Sequence, residues 1–328
     1  MNKFKDKNVL VTGGAGFMGS NLVIALVNAG AIVTVLDNMS PQQGGNLFNL
    51  QPVKDKITMD FSDIRDTLAV NQLVKDKEYI FHLARQTDHI LSQTDPFPDI
   101  DINVRGTAIL LEACKKFNPT VKLIYTGTRG QYGPAVKLPV SETAPTNPRG
   151  IYEITNLTAE KMVGIYHDIH GIRSVMLRLT NVYGPRAQMK TNHYGVVNWF
   201  VRLAIENECI PVYGDGKLKR DFLYIDDAIE AMLLCALSEK CYGEIVNVGR
   251  DDPETFRELA DILVRVAKSG SWKFTPFSRE RKAQEPGDFV SDIKKIKKLT
   301  GWKPKTPLAE GLKKTIAFYR KNKGQYWQ

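Results

Sequence analysis

The sequence predicts an α/β fold in which a doubly wound parallel sheet is followed by a smaller, mixed α/β C-terminal lobe. Short β-branched runs alternate with stretches of helical periodicity through the first half of the chain. The runs are apolar at consecutive positions, not at every second one, which is the pattern of parallel strands covered on both faces. After Tyr183 the texture changes. Gly184-Pro185 reads as a turn, and strands and helices then follow without the earlier regular alternation.

Taken in order, the first strand is 9–12, Val-Leu-Val-Thr, and residues 17–29 repeat apolar residues at helical spacing. Further strands are expected at 32–36, 57–61, 79–84, 121–125 and 174–179, with long helices over 104–117 and 152–170. The second half should hold a helix at 195–207, a strand at 210–213 and a loop at Gly214-Asp215-Gly216. A helix at 226–237 follows, whose acids Asp226 and Asp227 suit the N-terminal end of the helix dipole. A strand at 244–248 and a helix at 255–268 complete the pattern.

Composition narrows the classes. The chain has 328 residues, 43% hydrophobic and 25% charged, which suits a folded protein and excludes disorder. No apolar run approaches the roughly 20 residues of a membrane span. The first seven residues are polar and lead straight into a strand, so the expectation is a cytoplasmic chain without a secretory segment. Cys114, Cys209, Cys235 and Cys241 form no CxxC pair and read as buried thiols. The net charge of +9 is concentrated in residues 294–328, where eleven Lys/Arg meet one acid, Glu310. A solvated basic helix accounts for it. No base-stacking aromatics interleave with these lysines, so nucleic acid is not an expected partner. Trp272, Trp302 and Trp327 read as lobe packing.

Residues 12–19 read TGGAGFMG, directly after a strand and opening a helix. Gly13 permits the tight turn, Gly16 lets backbone approach a pyrophosphate at the helix N-terminus, and Gly19 allows close helix–strand packing. Asp37 ends the second strand, eighteen residues beyond Gly19. A carboxylate there accepts hydrogen bonds from ribose hydroxyls and repels a 2′-phosphate, and no arginine follows to bind one. The expected cofactor is therefore NAD rather than NADP. The expected division is a Rossmann-type domain over residues 1–183 and a substrate lobe over 184–328, with some segments crossing.

The glycine fingerprint is joined by Asp37-Asn38, Asp63-Ile64-Arg65-Asp66, Phe81-His82-Leu83-Ala84, Asn103-Val104-x-Gly106-Thr107 and Tyr132-Gly133. Arg178-Leu179-x-Asn181-x-Tyr183-Gly184-Pro185-Arg186, Arg220-Asp221-Phe222 and Gly287-Asp288 follow. In this order the set resembles the extended short-chain dehydrogenase/reductase family over nearly the whole chain. Within it the chain is most similar to nucleotide-sugar epimerases of the UDP-glucose 4-epimerase and CDP-tyvelose 2-epimerase kinds. The resemblance implies cofactor contacts at Gly13, Gly16, Phe17, Met18, Asp37, Asn38, Asp63, Ile64, Leu83, Ala84, Arg85, Asn103, Tyr152 and Asn156. It implies catalytic roles for Thr128 and Tyr152, and substrate contacts at Thr87, Arg129, Asn181, Arg220 and Asp288. It also implies a homodimer paired through the long helices of residues 104–117 and 152–170.

The chain departs from the family in three places. The usual Tyr-x-x-x-Lys is here Tyr152-Glu153-Ile154-Thr155-Asn156. Lys161, nine residues after Tyr152, faces the opposite side of the helix. Bringing a tyrosine from a pKa near 10 to about 7 takes roughly 4 kcal/mol, and Asn156 carries no charge. The cations left to supply it are the oxidised nicotinamide ring, Arg85 and Arg129. Three readings of Tyr152 stay open: a base with altered tuning, a base that has moved elsewhere, or a chain that only binds. The acid pair that follows the threonine in 4,6-dehydratases is Arg129-Gly130 here, which argues against dehydration through that pair. Gln284, Glu285 and Pro286 stand where many 4-epimerases carry an arginine, with Arg281 and Lys282 as the nearby cations.

Among other polar residues, His82 reads as a packed histidine, and His89 as a surface or substrate-contacting one. His167, His170 and His193 make no ligand cluster, so no metal is expected. The expected activity is NAD-dependent epimerisation of a nucleotide sugar through a keto intermediate, at C4 of a UDP-sugar. The alternatives are a CDP-sugar 2-epimerase, a nucleotide-sugar dehydratase or 5-epimerase, and a non-catalytic NAD or nucleotide-sugar binder.

Overall fold

The structure, a computed structural model, describes residues 2–40, 44–192, 195–277, 282 and 285–327. Seven strands form one sheet in the order β11-β6-β5-β4-β1-β2-β3. These are β1 (Asn8–Thr12), β2 (Ile32–Leu36), β3 (Ile57–Asp60), β4 (Tyr79–His82), β5 (Lys122–Thr128), β6 (Arg173–Leu179) and β11 (Ile245–Val248). Every pairing in this sheet is parallel. The last strand comes from the chain beyond residue 183, and the helix before it, α8 (Ile225–Leu237), packs on β5, β6 and α1 (Phe17–Asn28).

Continuous apolar runs are required because both faces are covered. Val9 and Val11 join the core that includes Leu22, Val23 and Leu26 of α1 and Met232 and Cys235 of α8. Leu10, between them, joins the opposite core, with Leu110, Leu111 and Cys114 of α5 (Gly106–Phe117) and Ala159 and Val163 of α6 (Ile151–His170). The same alternation divides Phe81 from Ile80 and Ile124 from Leu123. Three further helices, α2 (Thr67–Leu73), α3 (His89–Thr94) and α4 (Phe97–Asp99), were not anticipated from periodicity. A π-helical segment, Ile100–Arg105, links α4 to α5 and carries Asn103, a distortion often found at functional sites.

The second half adds small sheets beside the large one. β7 (Asn181–Tyr183) pairs in parallel with β10 (Phe222–Tyr224), and β8 (Cys209–Tyr213) with β13 (Ser271–Thr275). β9 (Lys219–Arg220) runs antiparallel to β12 (Glu254–Thr255). Helices α7 (Val196–Ile205) and α9 (Phe256–Ala267) pack on each other and on β8.

Two expectations need correction. The basic tail is two helices, α10 (Lys294–Thr300) and α11 (Leu308–Asn322), separated after Gly301 in a left-handed C-cap. Neither is simply solvated. Leu308, Leu312, Ile316 and Tyr319 recur on one face of α11 and are buried in the core, while the lysines occupy the outer face. Trp302, between the two helices, is also core. Of the four cysteines, Cys114, Cys235 and Cys241 are buried, but Cys209 is exposed at the start of β8.

Candidate active site

Strand order reverses between β1 and β4, and a crevice opens where their carboxyl ends part. Thr12, the last residue of β1, holds the two edges in register. Its hydroxyl accepts from the N–H groups of Leu83 and Ala84, both at 3.1 Å, and meets His82 Nδ1 at 2.8 Å. His82 is fully buried, with Nε2 3.0 Å from the Thr107 hydroxyl, and burial drives its pKa well below the ordinary value. It is a packed histidine.

The glycine turn sits at the crevice. Gly13 adopts φ +69°, and a Cβ there would come within 2.8 Å of the Ala84 nitrogen. A Cβ at Gly19 would overlap the Gly13 carbonyl oxygen. α1 begins at Phe17 with Gly16 as its N-cap and no side-chain cap, so its first N–H groups face the crevice without a protein acceptor from that residue. A glycine-lined cradle at an uncapped helix start suits a pyrophosphate. Asp37 closes the far end. Its carboxylate accepts from Ala15 N at 2.9 Å and Met39 N at 3.0 Å, and burial raises its pKa despite both bonds. A carboxylate has about four acceptor sites, so capacity remains for ribose hydroxyls. Asn38 donates to Asp63 at 2.7 Å, and Arg65 grips Asp63 through two bonds of 2.8 Å, which holds that carboxyl down at about 2.

One cleft of about 900 Å³ is lined by Gly13, Gly16, Phe17, Met18, Asp37, Asn38, Asp63, Ile64, Leu83, Ala84 and Arg85. Thr87, Thr128, Arg129, Tyr152, Asn181 and Arg220 line the same cleft. Three of the sequence-assigned residues stand behind its wall. Asn103 is buried and accepts from Gln86 N at 2.9 Å while donating to Asp99 and Thr155, so it fixes the segment that carries Arg85 and Thr87. Asn156 is buried and donates to the Tyr152 carbonyl at 2.7 Å. Asp288 accepts from Lys219 N at 2.9 Å and steadies β9, whose next residue is Arg220.

Thr128 ends β5 and caps the short helix Arg129–Tyr132. Its hydroxyl accepts from Gly130 N at 3.1 Å, and the Gln131 side chain accepts from Thr128 N at 2.8 Å. Gln131 also donates to Glu160 at 2.8 Å, and Glu160 pairs with Arg178 through bonds of 2.8 and 2.7 Å. A buried ion pair thus anchors the Thr128 turn. The signal for it was present as Thr128-Arg-Gly-Gln131, a Thr-x-x-Gln capping box. Tyr152 lies in the first turn of α6, where burial first of all, then Glu153 and Asp99, push its phenol up to about 12 against the pull of Arg85.

Two guanidinium groups face the cleft, Arg129 directly after β5 and Arg220 on β9. Arg129 donates to Asn181 at 2.9 Å and lies over the Phe289 ring at 5.1 Å. Burial and the neighbouring Arg220 lower Arg129 to about 10. Arg220 donates to the Gly287 carbonyl at 2.7 Å and is ion-paired with Glu285, a partner missed in the sequence. Two guanidiniums side by side in a cleft suit a polyanion. Arg281, Gln284 and His193 lie outside the described residues, and Lys282 is exposed. His89 does reach the cleft: its Nδ1 is 2.9 Å from Glu153 Oε1 and its ring is 4.4 Å from that of Tyr152. Burial works to raise the Glu153 carboxyl, but the bond to His89 leaves it below its ordinary value.

Among known proteins, a UDP-glucose 4-epimerase of Mycolicibacterium smegmatis is 32% identical, over 96% of this chain and 99% of that protein. A dTDP-D-glucose 4,6-dehydratase of Mus musculus is also 32% identical, over 96% of this chain and 89% of that protein. The solved UDP-glucose 4-epimerase of Thermotoga maritima, holding UDP-glucose, superposes with a TM-score of 0.86 at 32% identity, covering 96% of this chain and 99% of that one. Residues 9–249 match the NAD dependent epimerase/dehydratase family. With that match and relatives of this similarity along its length, the chain belongs to the NAD dependent epimerase/dehydratase family, a group of nucleotide-sugar enzymes whose cofactor is NAD.

Proposed function

We propose that the protein is a cytoplasmic nucleotide-sugar epimerase that oxidises a sugar hydroxyl transiently, at C4 of a UDP-sugar. The observation that carries this reading is the meeting of three devices in one cleft: the glycine turn, the Thr128–Tyr152 pair, and the Arg129–Arg220 pair with Asn181. Gly13, Gly16, Phe17 and Asp37 would hold NAD, and Arg129, Asn181 and Arg220 the diphosphate of the nucleotide sugar. Bound there, NAD would supply the hydride acceptor, and then the hydride donor, for the sugar carbon. Tyr152 takes the hydroxyl proton as that carbon is oxidised and gives it back on reduction, so protons and electrons balance over the cycle. Thr128 hydrogen-bonds the reacting oxygen, which stabilises the charge developing there. A homodimer through the outer faces of α5 and α6 fits the same reading, since Ile154, Ile165 and Ile169 of α6 are exposed.

A second reading, dehydration or 5-epimerisation, is favoured by one observation. His89 and Glu153 form an acid–base pair beside Tyr152, placed to work on a carbon next to a ketone. One experiment separates the readings: NAD-loaded protein with UDP-glucose in deuterated water, followed by mass spectrometry. Epimerisation at C4 conserves mass and leaves carbon hydrogens unexchanged. Dehydration loses water, and 5-epimerisation brings in deuterium. Tyr152→Phe should lower turnover by at least about 10²-fold with NAD retained. Undiminished turnover in that variant refutes Tyr152 as the base, and the absence of any transient reduced-nicotinamide absorbance with UDP- or CDP-sugars refutes the enzyme reading.

A further inference from the structure

The cleft must depress the pKa of a desolvated phenol, yet the position four residues after Tyr152 is a neutral amide. Asn156 spends both ends of that amide. Its Nδ2 donates to the Tyr152 carbonyl at 2.7 Å, one helical turn back, and its Oδ1 accepts from Arg85 Nη1 at 2.8 Å. The same Nη1 donates to the Tyr125 hydroxyl at 2.9 Å, and the Arg85 guanidinium lies 4.2 Å from the Tyr125 ring centroid. Tyr125 in turn donates to the Asn156 carbonyl at 2.7 Å. Arg85 is therefore locked from three sides by β5 and α6, while it still lines the cleft.

We propose that Arg85, oriented by Asn156, is the fixed positive charge that tunes Tyr152, a task the lysine of Tyr-x-x-x-Lys performs from the helix itself. This rests on the reading of Tyr152 as the base. The chemistry of position 156 supports it. A guanidinium donates and never accepts, so its neighbour on α6 must present an acceptor, and an ammonium presents none. Lysine at 156 would also set a second buried cation against the first. Asparagine satisfies Arg85 without competing with it, so the exchange moves the charge from α6 to the end of β4.

The groups that act on the phenol come from every wall around it. Arg85 follows β4, Tyr125 lies on β5, Glu153 is on α6, Asp99 ends α4, and His89 begins α3. Of these, Arg85 lowers the Tyr152 pKa, while Glu153 and Asp99 raise it. Arg129 is committed to Asn181 and Phe289, and Lys161 is exposed on the far face of α6. Neither replaces Arg85. Arg85 is thus a positioning residue, acting through Tyr152.

The test is a titration of Tyr152 in the NAD-loaded protein, read as tyrosinate absorbance with the Tyr152→Phe protein as blank. Arg85→Gln should move the midpoint up by about 1–3 pH units, the span an adjacent opposite charge produces. Arg85→Lys should move it less, and Arg85→Gln with Asn156→Lys should bring it back towards the wild-type value. An unmoved midpoint in Arg85→Gln overturns the proposal, as does a shift in Arg85→Lys equal to that in Arg85→Gln. If Arg85→Gln does not fold, Asn156→Leu keeps the guanidinium but removes its acceptor, and an unmoved midpoint there overturns the proposal equally. The outcome is independent of the parent reading. Wild-type protein that shows no hydride transfer with any nucleotide sugar refutes Tyr152 as the base, whereas the titration reports on Arg85 whether or not turnover occurs.

Discussion

Glu160→Gln should destabilise the protein far more than its conservative appearance suggests. Glu160 and Arg178 have side chains only 1% and 2% exposed, and the carboxylate takes two guanidinium bonds and one from Gln131. The amide of glutamine offers Arg178 a donor where an acceptor stood and leaves the guanidinium charge without a counter-ion. Removing one partner of a fully buried pair costs about 3–5 kcal/mol. With an unfolding entropy of about 2.1 cal/mol/K per residue, that lowers the Tm of a chain this long by about 4–7 °C. Calorimetry on the NAD-free protein reads the shift. Replacing both partners, as Glu160→Leu with Arg178→Met, should recover most of the loss, because the penalty belongs to the orphaned charge and not to the missing attraction. A loss below about 1 kcal/mol in Glu160→Gln, or no recovery in the double variant, refutes this account. Turnover should fall too, since Gln131 joins Glu160 to the backbone of Thr128.

Two further outcomes follow from the charges around the cleft. Asp99 is fully buried; burial chiefly, with smaller contributions from Glu153 and Asp88, pushes its carboxyl up to about 7 against His89 and Thr155. The folded protein then holds this proton more tightly than the unfolded chain, so the associated stability is complete below about pH 4 and is lost as pH rises towards 7. Asp99→Asn should flatten that slope, and an unchanged dependence of Tm on pH between 5 and 8 would falsify the assignment. Glu285→Gln removes the carboxylate paired with Arg220. UDP-glucose should then bind about fivefold more tightly, the equivalent of roughly 1 kcal/mol; calorimetric titration giving equal or weaker affinity sinks this idea.

Legibility in the sequence followed the range of the interactions. β1, its glycine turn and Asp37 were readable because strand, turn and helix are contiguous and each imposes its own residue pattern. α3 leaves no periodic signature in the sequence. It is six residues long, too short for periodicity, although Asp88 caps it by accepting from Ile90 N and Leu91 N, both at 2.9 Å. In the C-terminal segment the density of lysines drew attention from the apolar stripe of Leu308, Leu312, Ile316 and Tyr319. Glu285 was seen as a departure in the sequence, but its pairing with Arg220 spans 65 residues and has no local signature. Arg85 and Asn156 are 71 residues apart. Only the parallel crossing that sets β4 beside β5, with α6 over them, makes them neighbours.

That distance explains why the lack of a lysine is a poor measure of lost chemistry. For Tyr152 as the proposed base the requirement is electrostatic: one fixed cation close enough to favour the phenolate and held so firmly that it need not reorganise when the charge appears. Nothing in that requirement specifies α6 as the source. The carboxyl ends of β4 and β5 and the start of α6 face the same volume, so a cation rooted on any of them meets it, provided its neighbours supply acceptors. A position that had merely lost its function would carry no such demand. Asn156 is fully buried, uses donor and acceptor at once, and sits against a charge that pulls the Tyr152 phenol downward. The neutral residue is thus the complement of a charge that stands elsewhere, which is why its own replacement by lysine should help only when Arg85 has been removed.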